Sequence, residues 1–243
     1  MMASRYSHRG GRDCNEDTCA AVKRKNVMCA LVADGLGGHG GGKQASEAAA
    51  EIITRNFRQT SDVDHIERAQ LDAWFEEANA AVTKLQTPEC EMKTTLAVLC
   101  VNEMSGEAAW AHLGDSRIYH FVDRKEAFCT FDHSVSRMAV LAGEITLEEV
   151  RFHKDRSKLL KVVGTEEPLR PEFGSCVLEQ EADHAFLLCT DGFWEYVTEA
   201  EMEDALAETN TPEEWLRHMT GILRGKASGS HDNNTAVAVF LSR

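Results

Sequence analysis

Val27-Met28-Cys29-Ala30-Leu31-Val32-Ala33-Asp34-Gly35 is the stretch on which the fold turns: an unbroken apolar run that ends in a carboxylate and a glycine. Apolar runs of about four to eight residues bounded by turn residues read as buried strands. Phe186 to Cys189 repeats the arrangement and ends in Thr190-Asp191-Gly192, while Asp232 stands just before a third run, Thr235 to Leu241. Asp17 closes the segment Arg12-Asp13-Cys14-Asn15-Glu16-Asp17. Four aspartates are therefore expected at strand ends. Carboxylates gathered in that way repel one another unless they are solvated or protonated, and a hard divalent cation, which prefers oxygen ligands, is the cheapest neutraliser.

Outward from these runs, Lys43 to Phe57 and Asp64 to Leu85 carry apolar residues at helical spacing and predict two amphipathic helices. Strand-like runs return at Thr94 to Val101, Ala108 to Leu113 and Ser116 to Val122, the last two separated by Gly114-Asp115. From Ser134 to Gly164 the pattern predicts helix again, with Thr146-Leu147-Glu148-Glu149 as a capping box. A further helix is expected from Thr211-Pro212-Glu213-Glu214, with proline at its first position. Strands and helices that segregate in this order favour an α+β layered fold in which a helix pair covers a sheet.

The chain has 243 residues, 43% of them hydrophobic, and only four prolines, which is enough to bury a full core and predicts a single domain over 1–243. A formal charge of −14 argues against nucleic acid or an anionic membrane as partner, so a substrate phosphate needs a local cation. Cysteines at 14, 19, 29, 90, 100, 129, 176 and 189 form no Cys-x-x-Cys pair, which suits reduced core thiols in a cytosolic protein. Met1 to Arg12 holds no apolar signal segment, and no run approaches the ~18 residues of a membrane span, so the chain reads as soluble, unexported and cytoplasmic.

Between the Val27 to Ala33 run and the first helix lie six glycines in the eight positions 35–42. So many glycines cost chain entropy and mark close backbone approach. Gly37-x-x-x-x-Gly42-Lys43 has the spacing of a nucleotide-binding P-loop, but Gln44 stands where that loop needs a Ser or Thr hydroxyl. The other reading joins the loop to the carboxylates. Arg12-x-x-Asn15-Glu16-Asp17, Asp34-Gly35-x-Gly37-Gly38-His39, Thr94-Thr95, Gly114-Asp115-Ser116-Arg117, Asp132-His133-Ser134, Thr190-Asp191-Gly192 and Asp232-Asn233-x-Thr235 follow one another over more than two hundred residues. In that order the sequence resembles the metal-dependent serine/threonine protein phosphatases of type 2C, in their bacterial form.

The resemblance implies an αββα sandwich of two mainly antiparallel sheets flanked by helix pairs, with a flap at about 134–170. It implies that Asp17, Asp34, Asp191 and Asp232 hold two manganese or magnesium ions, with the Gly35 carbonyl contributing and Glu16 acting through water. It gives Asp132 a third, weaker metal position, and Arg12 the substrate phosphate, which a guanidinium grips bidentately. Asn233 and Thr235 would position Asp232. Lys93 and Lys43 depart from the family's usual glycine and glutamate, and Lys154 and Ser157 from its usual proline and asparagine in the flap.

Such a centre suits the chemistry, because phosphate-monoester hydrolysis is among the slowest uncatalysed reactions and needs both a nucleophile and charge neutralisation. No cysteine has an arginine six positions later, which disfavours a thiol-based phosphatase. Asp115 reads as a turn residue with Arg117 as its structural partner, and His39 and His133 as loop histidines more often than catalytic acids. The expected protein is a monomeric phosphatase acting on phosphoserine or phosphothreonine in proteins, with a Ser/Thr kinase or its target as associated partner. A P-loop nucleotide-binding protein and a silent binding module on the phosphatase fold are the alternatives. Gln44 speaks against the first and the intact set of Asp17, Asp34, Asp191 and Asp232 against the second.

Overall fold

The structure, a computed structural model, describes residues 1–37 and 41–241. Its first strands are β1 (Met2–His8), β2 (Thr18–Arg24), β3 (Val27–Ala33) and the short β4 (Gly35–Leu36), followed by helices α1 (Gly41–Gln59) and α2 (Arg68–Leu85). A second group of strands runs through β5 (Lys93–Thr94), β6 (Leu96–Asn102), β7 (Glu107–Leu113), β8 (Arg117–Val122) and β9 (Lys125–Cys129). After α3 (Val135–Leu141) and a 3-10 turn at Glu148–Phe152 come β10 (Glu172–Val177), β11 (His184–Cys189) and the one-turn α4 (Asp191–Trp194). The chain closes with α5 (Glu199–Ala207), α6 (Pro212–Lys226) and β12 (Asn234–Leu241).

Two five-stranded antiparallel sheets result, ordered β1-β12-β11-β8-β9 and β10-β7-β6-β3-β2. The central strands show why their sequences carry long apolar runs. In β3, Val27, Cys29, Leu31 and Ala33 face α1 and α2, while Met28, Ala30 and Val32 face the opposite sheet. In β12, Ala236, Ala238 and Phe240 pack under α5 and α6, while Val237 and Val239 enter the same inter-sheet core. Period-two side-chain alternation thus feeds three cores from two sheets, giving four αββα layers. Each fully buried aliphatic side chain such as Leu31 contributes about 1.5–3 kcal/mol.

The expected flap helix is mostly absent. Between Ser134 and Gly164 only α3 and the 3-10 turn form, and Gly143, at φ +73°, follows the end of α3. The expected capping box is present in reciprocal form, with Thr146 N–H donating to Glu149 (2.7 Å) and Glu149 N–H to Thr146 (3.4 Å), but it starts a 3-10 turn. Thr211 caps α6 with Pro212 in its first turn, as its sequence predicts. Cys29, Cys100 and Cys189 are buried whereas Cys14 is exposed, so core packing describes only some of the eight cysteines. Among the described residues, no helix is long and apolar enough to cross a membrane.

Candidate metal centre

The carboxylates collect where strand ends of the two sheets meet, and backbone contacts fix each one. Asp34 follows β3 directly: its N–H donates to Thr95 Oγ1 (2.9 Å), and its carbonyl accepts from Thr94 Oγ1 (2.8 Å) and Thr95 N–H (2.9 Å). The Thr94-Thr95 pair is therefore a clasp on Asp34. Gly35 sits so close to Gly42 that a Cβ at Gly35 would lie 2.1 Å from the Gly42 carbonyl oxygen and 2.6 Å from that of Glu16. Two of the six glycines in this stretch are thus explained by backbone crossing backbone.

Ser46, fully buried on α1, donates to the Glu16 carbonyl (2.5 Å), and Glu16 N–H donates to Asn233 Oδ1 (2.8 Å). Asn233 also donates to the carbonyls of Arg9 (2.8 Å) and Cys14 (2.9 Å), so it holds the segment before β2. Thr190 Oγ1 donates to Asp17 Oδ2 (2.9 Å) and accepts from Thr235 N–H (3.0 Å), tying Asp17 to the β11 end that carries Asp191. Asp191 begins α4, whose Trp194 donates from Nε1 to the Asp115 carbonyl (2.9 Å). Asp232 accepts from Asn233 N–H (2.7 Å) and pairs with Arg12 Nη2 (2.6 Å) at the exposed mouth.

These positions are electrostatically costly. Burial pushes the Asp17 carboxyl up to about 7, and Asp191 and Asp232 add repulsion that its bonds to Thr190 and Thr235 only partly offset. Burial likewise carries Asp191 to about 7, with Glu195 and Asp232 adding repulsion. Asp34 is held well above the usual carboxylate range by burial and then by Asp17, Asp191, Asp115 and Asp232. Glu16 Oε1, Asp17 Oδ1 and Asp191 Oδ1 are buried without a hydrogen-bond partner among the described residues. Unpaired buried oxygens in a mutually repelling cluster are the donor set that hard divalent cations require, so the residues present fit such ions.

Asp132, expected at a third metal position, lies in an ion pair instead of in the acidic cluster. Both of its oxygens are taken by the Arg117 fork, with Nε at 2.8 Å and Nη2 at 2.7 Å, and the two side chains are only 3% and 6% exposed. Arg117 also stacks on Trp194, its Cζ 3.6 Å from the ring centroid. The residue that joins the acidic cluster is Asp115, expected to be a turn residue. Its carboxyl is raised well above the ordinary range by burial, then by Asp191 and Asp132, and it repels Asp34 in turn. Asp132→Ala should then destabilise the fold by about 3–5 kcal/mol, because it leaves a buried guanidinium with only the more distant Glu199, at 3.6 Å, as counter-charge. Denaturant unfolding checks this, and unchanged stability would return Asp132 to a role outside the ion pair.

Arg12, Glu16, Asp17, Asp34, Gly35, Asp191 and Asp232 are brought to one region, whereas His39 lies outside the described residues. His133 is buried behind the cluster against His112. Lys43 is exposed and lies 3.8 Å from Glu47 one turn on, and Gly42 packs on Gly35, while residues 38–40 of the P-loop spacing lie outside the described residues. Sequence reasoning missed Asp115 and Trp194. The available signal was that Asp115 also sits at the mouth of an apolar strand, β7.

The protein phosphatase 2C family matches residues 5–227. Protein phosphatase PhpP of Streptococcus pneumoniae is 31% identical over 189 residues, covering 75% of this chain and 74% of the relative. The solved serine/threonine phosphatase PstP/Ppp of Mycobacterium tuberculosis is similar with a TM-score of 0.84 and 28% identity, covering 99% of this chain and 98% of that one. The PstP catalytic domain solved in complex with two manganese ions gives a TM-score of 0.81 at 27% identity, with 99% and 98% covered. Agreement over nearly the whole chain, in sequence and in backbone alike, makes this protein a serine/threonine phosphatase belonging to the protein phosphatase 2C family.

Proposed function

We propose that Asp17, Asp34, Asp191 and Asp232, with the Gly35 carbonyl and Glu16, hold two divalent cations, manganese or magnesium, for hydrolysis of phosphoserine and phosphothreonine in proteins. The observation that carries this reading is the set of unpartnered buried oxygens on Glu16, Asp17 and Asp191, the last two in one repelling cluster. The similar PstP catalytic domain, solved with two manganese ions, supports it. When bound, such cations neutralise phosphoryl oxygens and lower the pKa of water, so that hydrolysis needs no covalent enzyme intermediate.

The chain's own residues supply placement. Thr94 and Thr95 clamp the Asp34 backbone from both sides, and Thr190 holds one oxygen of Asp17, leaving its other oxygen free to act as ligand. Trp194 fixes α4 against the Asp115 turn and so sets the direction of Asp191. Asp115, rather than Asp132, would add a further carboxylate. Arg12, half-exposed beside Asp232, is placed to transfer its guanidinium to an incoming phosphate once that carboxylate is neutralised. Elsewhere the charge of −14 repels phosphate, so phosphoprotein substrates depend on these local cations.

Residues 1–243 would act as one catalytic unit with a flap at about 134–170. Chelated protein is expected to show no turnover of phosphothreonine peptides and to recover it with manganese or magnesium. Full turnover in excess EDTA would overturn the assignment.

A further inference from the structure

His112 and Glu172 face each other directly across the β7–β10 ladder, and the His133 ring stacks on His112 with centroids 4.7 Å apart and planes 16° from parallel. His112 is 1% exposed and His133 9%. His112 Nε2 lies 2.8 Å from the Phe131 carbonyl and must donate to it, which leaves the lone pair on Nδ1. That Nδ1 and His133 Nε2 are both buried without a hydrogen-bond partner among the described residues. Glu172 Oε2 lies 3.6 Å from His133 Nε2, and one donor atom from each of the three residues lies within 4.8 Å of the others.

We infer that His112 Nδ1, His133 Nε2 and the Glu172 carboxylate form a second metal site, for a zinc-class transition ion, at the root of the flap. Two imidazoles and one carboxylate suit zinc, cobalt, nickel or copper, whereas the all-oxygen cluster described above suits magnesium or manganese. The two sites therefore sort different metals. Three protein ligands with a fourth position open to water is a known zinc arrangement, and Glu172, with a side chain 46% exposed, provides the route in.

Binding asks for two adjustments. Zinc ligands stand ~2.0–2.2 Å from the ion, hence roughly 3.3 Å from one another, so the wider spacing here must contract, and the exposed Glu172 side chain is the part free to move. Coordination through His133 Nε2 also puts the ring proton on Nδ1, which gives up the contact that Gly114 N–H makes there at 3.3 Å, a long one. The charge of Lys161 acts on both rings and opposes uptake.

The consequence lies in what the three ligands join. His133 accepts through its carbonyl from Leu160 N–H (2.8 Å) in the flap and donates from its N–H to the Gly114 carbonyl (2.9 Å), one residue before Asp115. Glu172 begins β10, where the chain leaves the flap. A bound ion would bolt both ends of the flap to the turn that carries Asp115. The site is independent of which residues hold the catalytic ions.

The test uses the full chain, stripped by chelator, saturated with excess magnesium, and then titrated with zinc or with cobalt(II). About one zinc per chain should be retained, with a raised melting temperature and a cobalt absorption band of a nitrogen-ligated, low-coordinate site. Glu172→Ala and His133→Asn should each weaken zinc binding by more than the roughly 10–100-fold that loss of an outer partner costs. Glu172→Ala, on an exposed edge strand, should keep its magnesium-dependent turnover and so reports even if the histidine variant fails to fold. Equal zinc retention in Glu172→Ala and the parent chain would overturn the site, as would no retained zinc in the parent chain.

Discussion

Asp34→Asn and Asp191→Asn should each lower kcat/KM on phosphothreonine peptides by on the order of 10³-fold or more, while the metal-free protein becomes more stable rather than less. Both halves follow from one feature. Each aspartate is held with a raised carboxyl by burial and by neighbouring carboxylates, so removal of one charge relieves repulsion in the absence of cations. The amide nearly preserves shape and can donate to an adjacent carboxylate oxygen. A relief of about 1–2 kcal/mol corresponds to a rise of roughly 2–8 °C in melting temperature for a chain of this size. Added manganese or magnesium should then stabilise the parent protein strongly and the variants weakly. Thermal unfolding with EDTA and with metal, beside peptide kinetics, reads all of these quantities. Near-normal turnover in either variant would remove that residue from the ligand set, and a fall in metal-free stability would show that its charge is already compensated by the fold.

What was legible in the sequence follows from burial. β3, β11 and β12 lie between two apolar layers, so β3 is apolar at every position, β11 from Ala185 and β12 from Ala236 onward, and these runs announce themselves. β1, reading Met-Ala-Ser-Arg-Tyr-Ser-His, is an edge strand that pairs only with β12 and keeps most of its length partly exposed, and nothing in its composition marks it as a strand. The flap misled for the opposite reason. Its apolar residues at helical spacing, including Met138, Leu141, Leu147 and Phe152, are exposed, so no packed face sustains a long helix there.

The site divides along the same line. Asp17, Asp34, Asp191 and Asp232 are recognisable because each adjoins a turn or strand end in a motif of fixed order. Which of Asp115 and Asp132 meets the cluster depends on which one Arg117 faces, and that is a matter of hairpin register. Ile118 and Thr130 bond reciprocally across the β8–β9 end, through Thr130 N–H to the Ile118 carbonyl (3.1 Å) and Ile118 N–H to Thr130 Oγ1 (2.9 Å). That register sets Asp132 beside Arg117 and leaves Asp115 to the acidic side. Sequence spacing carries the two carboxylates and the guanidinium but not their pairing.

The stability gap between magnesium-loaded and chelated protein should widen from pH 5 to about pH 7 and level off above it. In the chelated state the Asp17 and Asp191 carboxyls lie at about 7, above the unfolded value near 4, so the folded chain binds more protons than the unfolded one. The stabilisation from those protons is complete below about pH 4 and is lost as pH rises through about 7. One carboxyl shifted from 3.8 to about 7 accounts for about 4 kcal/mol, or roughly 10 °C of melting temperature. Histidines run the other way. Burial lowers His120 to about 4 and His133 to about 3, so each contributes stability above the unfolded value near 6.5 that is lost as pH falls toward the folded value. The histidine term is common to the loaded and chelated states, whereas at the carboxylates cations replace protons, so the difference between the two melting curves isolates the cluster. The histidine contribution still rises until the unfolded imidazoles are neutral, about one pH unit above 6.5, and opposes the carboxylate fall in the chelated curve alone, so the effect is read on the difference between the two curves. No growth in the magnesium-induced shift between pH 5 and pH 7 would mean that these carboxylates do not share a buried, mutually repelling centre.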